Sequence, residues 1–270
     1  KVRLTGKIEG TDDILYSDTQ AEDSAGVVIG DHELDSLTLA GEAVDWEYGQ
    51  AVITKSSADN IVITRQVLGK PLLVKQSITI TKDFQFKQIF TLVNTGDTAM
   101  RFSDLAINCG QISPAAETVS MTQGNDQGVD AYDRLEEKVT PETFQSIESG
   151  IKEQIEDNLA DSIAGAKYEL DKPESSYLWV AVKNRYFAWI IEKDEKSDGF
   201  TGVYGAYVSR KVEGKEDPVN ILTAVASLKS FEIAAGGSHE IALNCYAGPQ
   251  ELHLLNSMAH DKKDIMQLNL

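Results

Sequence analysis

The sequence predicts a mainly β protein in which antiparallel strands form a sandwich. Apolar and polar residues alternate with period two through 61–67, 72–82 and 86–93. This period places successive side chains on opposite faces of a strand, as in a sheet with one buried face. The third segment ends at residues 94–97, Asn-Thr-Gly-Asp, which are typical turn residues. Strands joined by short polar turns are what a sandwich or a barrel requires.

The β pattern returns in the second half of the chain. Apolar and aromatic segments are separated there by charged or glycine-containing turns. The predicted strands are 177–182, 185–192, 200–209, 221–228, 231–233 and 240–246. We therefore expect one β domain over residues 1–247.

The middle of the chain differs in composition. Residues 113–140 are polar and predict a long irregular connection. Thr140 and Pro141 then resemble an N-cap and a first helical residue. Apolar residues follow at spacings of three and four, which predicts an inserted amphipathic helix over about 141–165. The stripe consists of Phe144, Ile147, Ile151, Ile155, Leu159 and Ile163. The helix either lies on the sandwich or docks a partner, and the first interpretation is favoured.

A helical connector is predicted at the end of the chain, over residues 248–270. Gly248 and Pro249 are expected to break the last strand. Residues 250–259 then read as a helix with Leu252, Leu255 and Met258 on one side.

Charge and length exclude several classes of protein. The chain has 270 residues and a formal net charge of −18. Binding to nucleic acid or to an anionic membrane surface requires clustered Lys and Arg, so both are disfavoured. No apolar stretch approaches the roughly 20 residues that cross a bilayer, and residue 1 is Lys. We expect a soluble piece of a longer protein.

The two cysteines, Cys109 and Cys245, fall on the apolar phase of predicted strands. Buried thiols that pack as small apolar side chains are the favoured interpretation. A disulfide between them is the alternative, in an oxidising compartment.

No motif of metal or covalent chemistry is present. His253 and His260 are seven residues apart, about 10 Å along a helix, which is too far to share one zinc ion. Residues 125–130 only superficially resemble a calcium loop, because the later glutamate of an EF-hand is missing. The chain has no GxSxG elbow, P-loop or GxGxxG motif. We predict no catalytic residue, no metal and no cofactor.

Three segments resemble the large periplasmic domain of the bacterial membrane-protein insertase YidC. They are 70–97 (KPLLVKQSITITKDFQFKQIFTLVNTGD), 179–192 (WVAVKNRYFAWIIE) and 244–258 (NCYAGPQELHLLNSM). Their order and spacing both fit that family. One departure is Gln250, where the family usually has lysine after Gly-Pro.

The resemblance implies a galactose mutarotase-like β-supersandwich with C-terminal helices, at the periplasmic face of the inner membrane. It implies a non-catalytic, accessory role, with the Sec translocon (through SecF) and inserting membrane proteins as partners. The residues expected to contact a partner are Gly248, Pro249, Leu252, Leu255 and Met258. The three apolar ones have an equally strong alternative role, which is to pin the helix to the sandwich. A sugar-binding or sugar-active mutarotase-like sandwich and an unrelated periplasmic adhesion or scaffold module are the other functions considered.

Overall fold

Strands make up most of the described chain. The computed structural model describes residues 2–4, 27–29, 39–40, 48–56, 59–82, 84–103, 105–112, 127–157, 167–170, 176–184, 186–194, 196–210 and 219–266. The strands are β1 (Val2–Leu4), β2 (Val27–Ile29), β3 (Leu39–Ala40), β4 (Val52–Ser56), β5 (Asn60–Gln66), β6 (Leu72–Lys82), β7 (Gln85–Asn94), β8 (Met100–Phe102), β9 (Ala106–Ile112), β10 (Gly128–Asp133), β11 (Lys138–Thr143), β12 (Lys167–Glu169), β13 (Tyr177–Lys183), β14 (Phe187–Lys193), β15 (Gly202–Arg210), β16 (Val219–Ser227), β17 (Phe231–Ile233) and β18 (Ser238–Pro249). The helices are α1 (Phe144–Glu156), α2 (Leu252–Asn256) and a 3-10 helix (Lys262–Met266).

Two large antiparallel sheets form the body of the protein. The first has nine strands in the order β11-β10-β13-β14-β18-β7-β6-β5-β4. The second has five, in the order β12-β15-β16-β9-β3. Two short ribbons, β1-β2 and β8-β17, complete the described strands.

The main core lies between the two large sheets. The alternation predicted for 86–93 is present in β7, where every second side chain is buried. Phe90 and Leu92 from this strand lie in one apolar cluster with Leu222 and Ala226 from the smaller sheet. Burying a large apolar side chain stabilises a fold by about 1.5–3 kcal/mol, so this interface holds the layers together. The predicted mainly β sandwich is confirmed.

The larger sheet is covered on part of its outer face as well. All seven residues of β13 are buried, on both faces of the strand. A second apolar cluster on the outer side joins Trp179, Ile190 and Tyr246 to Leu255 and Ile265 near the C-terminus. The segment 252–266, which we call the C-terminal segment, is therefore packed on the nine-stranded sheet. No helix among the described residues is long and apolar enough to span a bilayer.

Helix α1 begins later than the sequence predicts. Thr143 is the N-cap, and its hydroxyl oxygen accepts a hydrogen bond of 3.1 Å from the Ser146 amide. The predicted cap, Thr140 with Pro141, lies instead in β11. That strand is at the edge of its sheet, where a proline without an amide hydrogen is tolerated. Ile147 and Ile151 are buried in the main core, so the helix lies on the sandwich.

Two further predictions concern the middle of the chain. One is wrong, and the other falls partly on residues that the structure does not describe. The polar stretch predicted as irregular contains a hairpin, since β10 pairs with β11 and β10 also pairs with β13. The predicted helical residues Leu159 and Ile163, and the predicted helix end at Gly165, lie outside the described residues, and α1 ends at Glu156.

Candidate functional site

The C-terminal segment contains three of the residues predicted to bind a partner, and they differ in exposure. Leu255 is fully buried, and Met258 is half-buried against the same outer cluster. Leu252 is 46% exposed. A helix of five residues is too short to be stable by itself, so α2 depends on this packing. Leu255 and Met258 therefore attach the helix to the sheet, and Leu252 is the apolar side chain that it presents to solvent.

Gly248 and Pro249 do not break the last strand. Both belong to β18, where Gly248 pairs with Ala188 and Pro249 pairs with Phe187. A methyl group on Gly248 would lie 2.7 Å from the Phe84 β-carbon and 2.7 Å from the Tyr246 hydroxyl oxygen. Glycine is required there because the neighbouring side chains occupy that space. The strand thus continues to its last paired residue, and the chain turns away only afterwards.

A buried ion pair joins the sheet to the end of the C-terminal segment. The Lys183 ammonium lies 2.6 Å from the Asp130 carboxylate, and the two side chains are 4% and 0% exposed. The same ammonium donates to the Ile265 carbonyl oxygen at 2.7 Å. Burial raises the pKa of Asp130 to about 6, and the attraction of Lys183 limits this rise. At neutral pH the carboxylate is therefore ionised and paired.

A second polar group fastens the middle of the segment. The buried Lys262 ammonium donates to Glu192 at 2.7 Å and to the Ala259 carbonyl at 2.8 Å. The Trp179 indole donates to the His260 carbonyl at 2.8 Å. The His260 ring also lies 3.0 Å from the Glu192 carboxylate. These bonds hold the backbone of 259–262 against β13 and β14.

Backbone strain marks the same turn. His260 and Asp261 have φ angles of 61° and 50°, in the left-handed region that non-glycine residues rarely occupy. Such a conformation persists only where the surrounding contacts fix it. The turn is held by the Trp179 indole of β13 and by the buried Lys262 ammonium.

An open cleft of about 230 Å³ lies beside the C-terminal segment, over the outer face of β7, β18 and β14. Lys87 and Asn244 are paired neighbours on its floor. Lys82, at the end of β6, and Ser257, in the C-terminal segment, line opposite sides. Polar and apolar groups share the lining, which suits a small polar ligand.

The two cysteines lie in the main core as free, buried thiols. Burial raises the pKa of both thiols, and each residue comes from a different sheet. This arrangement agrees with the favoured interpretation from the sequence, and the disulfide between Cys109 and Cys245 stays the alternative.

Residues considered for metals are dispersed. His253 is exposed, whereas His260 is bound at the turn. Of the loop 125–130, the structure describes 127–130 only, and Asp130 is engaged with Lys183. No group of three His, Cys, Asp or Glu side chains is placed to hold a metal ion in the described ranges.

Sequence reasoning missed the buried charges of this site. Asp130 fell within a stretch predicted to be irregular, and Lys183 follows the apolar run 177–182 without an acidic neighbour. The one signal in the sequence is Lys183 itself, because it follows directly on a predicted strand whose residues are apolar on both faces. Its partner is 53 residues away, so no local pattern reveals it.

Comparisons with solved structures find distant similarities. A heparan sulfate lyase mutant, HepC from Pedobacter heparinus, matches 79% of this chain at 10% identity and a TM-score of 0.38, and the chain spans 24% of that protein. A GalM/aldose epimerase homologue from C. elegans matches 74% at 9% identity with a TM-score of 0.43, over 68% of its own length. A putative mutarotase, YeaD from Salmonella typhimurium, matches 74% at 7% identity with a TM-score of 0.36, over 65% of its length. Similarities at this level say nothing about activity.

Comparison with protein families identifies the family of this chain, which the solved structures do not. No curated protein matches the chain. The family model described as the YidC periplasmic domain matches residues 43–269, more than four-fifths of the chain. This range contains all three segments that carry the resemblance in the sequence. The chain belongs to the YidC periplasmic domain family.

Proposed function

We propose that this domain is a non-catalytic docking platform of a membrane-protein insertase, at the periplasmic face of the bacterial inner membrane. Its proposed partners are the Sec translocon, through SecF, and membrane proteins during insertion. Membership of the YidC periplasmic domain family supports the insertase assignment. The observation that carries the docking role is the exposed Leu252 on a segment fixed to the sheet.

Rigidity is the physical reason for choosing this surface. A partner that binds a mobile segment must first order it, and that cost reduces affinity. Here Leu255 and the bonds around Lys262 already hold the segment in place. An exposed leucine next to the polar residues Glu251 and His253 matches an apolar contact with a polar rim.

A binding experiment with two matched variants tests the proposal. The 270-residue chain is captured by immobilised SecF periplasmic region, before and after Leu252→Asp. Leu68→Asp is the control, because Leu68 is also 46% exposed but lies in the turn between β5 and β6. We expect Leu252→Asp to weaken capture at least about tenfold, as for a binding hot spot, and Leu68→Asp to leave it unchanged.

The stability of both variants is measured alongside by urea unfolding. Since both leucines are exposed, neither change should shift the unfolding midpoint appreciably. Undiminished capture of the folded Leu252→Asp variant would remove α2 from the docking surface.

A further inference from the structure

The cleft beside the C-terminal segment has a charge opposite to that of the protein. Its lining includes three lysines, Lys82, Lys87 and Lys262, and one acid, Glu192. Lys262 and Glu192 neutralise each other at 2.7 Å. Two positive charges remain in a chain whose net charge is −18.

The two remaining lysines line the same cleft, and neither has an acidic partner among the described residues. Lys87 pairs with Thr79 across one strand and with Asn244 across the other, and Lys82 pairs with Gln85. Among the residues that the structure describes, no ion pair or hydrogen bond involves the ammonium group of Lys82 or Lys87. Two like charges that line one cleft repel each other. With 43 acidic residues available, this arrangement favours an anion as the missing partner.

We propose that this cleft binds a phosphate monoester group. At neutral pH such a group has a charge of about −1.5 to −2, which matches the two ammonium groups of Lys82 and Lys87. Lysine is a common point-charge ligand for phosphate. The Asn244 and Gln85 amides on the cleft floor supply neutral donors, and the volume of about 230 Å³ admits one such group but not a nucleotide or a folded partner.

The other residues of the cleft determine the orientation of the ligand. Ser257 and Met258 form the wall on the side of the C-terminal segment, and Ile190 and Tyr246 contribute apolar surface below it. The charged end of the ligand therefore lies toward β6 and β7, and its ester substituent lies toward the C-terminal segment. This site is independent of the docking role proposed for Leu252, because Leu252 does not line the cleft.

The test is a titration of the 270-residue chain followed by ¹H–¹⁵N spectra. Inorganic phosphate, glycerol 3-phosphate and dihexanoyl phosphatidate below its micelle concentration are added separately at constant ionic strength, with chloride as the reference anion. We expect saturable shifts of the Lys87, Asn244 and Ser257 amides. Binding of inorganic phosphate identifies a free phosphate as a sufficient ligand, whereas binding of phosphatidate alone identifies a lipid headgroup.

Matched variants separate a built site from general attraction of anions. Lys82→Gln/Lys87→Gln should weaken binding about tenfold or more, because both charges next to the ligand are lost. Lys75→Gln is the control, since Lys75 is exposed on the same face of β6 but outside the cleft. Equal shifts with chloride, equal losses in both variants, or no saturable shift with any phosphate would overturn the proposal. Failure here leaves SecF capture by Leu252 unaffected.

Discussion

Replacing Lys183 by methionine tests whether the buried ion pair attaches the C-terminal segment. Methionine keeps the length and the apolar stem of the side chain but loses the charge. The fully buried Asp130 then has no counter-charge, and the Ile265 carbonyl loses its donor. We expect the free energy of unfolding at pH 7 to fall by about 3 kcal/mol.

This magnitude has two sources. Without Lys183, Asp130 must become protonated in the folded protein, and its pKa of about 6 in the wild type lies one unit below pH 7. One unit corresponds to about 1.4 kcal/mol. An unsatisfied buried carbonyl adds about 1–3 kcal/mol. Together they agree with the roughly 3–5 kcal/mol typical of breaking one side of a buried pair.

The dependence on pH distinguishes this explanation from simple loss of packing. The pKa of Asp130 is raised in the folded state, so the folded protein binds the proton more strongly than the unfolded chain does. The contribution of this carboxyl to stability is therefore fully present below about pH 4 and is lost as the pH rises through about 6. At pH 5 wild-type Asp130 is already mostly protonated, so the protonation part of the Lys183→Met penalty should nearly vanish.

Urea unfolding at pH 7 and pH 5 provides the measurement. Lys138→Met serves as the control, because Lys138 is an exposed lysine on neighbouring β11 and its loss should have little effect. Asp130→Asn/Lys183→Met should be more stable at pH 7 than Lys183→Met by about 1 kcal/mol, since no carboxyl then has to take up a proton in the folded protein. A penalty below about 1 kcal/mol, or one equal at both pH values, would refute the reasoning.

Three further predictions concern the packing of β18, the thiols and the start of α1. Gly248→Ala should destabilise the fold by about 1–3 kcal/mol in urea unfolding, because the added methyl group has no space; an unchanged midpoint would contradict this. Without reductant, Cys109 and Cys245 should react with a thiol reagent only after denaturation, with two thiols per chain; a count of zero would instead establish the disulfide. Thr143→Ala should cost about 1 kcal/mol as the loss of an N-cap, whereas Thr140→Ala should cost much less, and the reverse order would restore the start predicted from sequence.

The β architecture was predictable because its signal is local. In β7 every second residue is buried, Phe86, Phe90 and Leu92 among them, and the turn after it contains the expected Asn and Gly. The stripe of α1 was equally readable, and Ile147 and Ile151 are indeed the buried residues of the helix. Both patterns depend on residues two to four positions apart, the separation that a single sequence displays.

The hairpin of β10 and β11 was hidden by its composition. Strand β10 contains two aspartates, yet all six of its residues are buried. Asp130 is tolerated there because of Lys183, and Asp133 because its carboxylate accepts the amides of the following turn, including that of Leu135 at 2.8 Å. Polar residues usually indicate an exposed loop, and only the distant partner reverses that expectation.

The position of the C-terminal segment could not be predicted from the sequence for a related reason. The same reason predicts how the segment responds to substitutions. Apart from the Lys262–Glu192 and His260–Glu192 contacts, its polar attachments to the sheet end on the main-chain oxygens of His260 and Ile265, which every residue type provides. Two of the donors, Trp179 and Lys183, belong to β13. Substitutions of the exposed side chains in the segment should therefore preserve its position, whereas changes to the donors of β13 should release it. The sheet, more than the sequence of the segment itself, determines where this end of the chain lies, and this leaves Leu252 and its exposed neighbours free to vary with the partner.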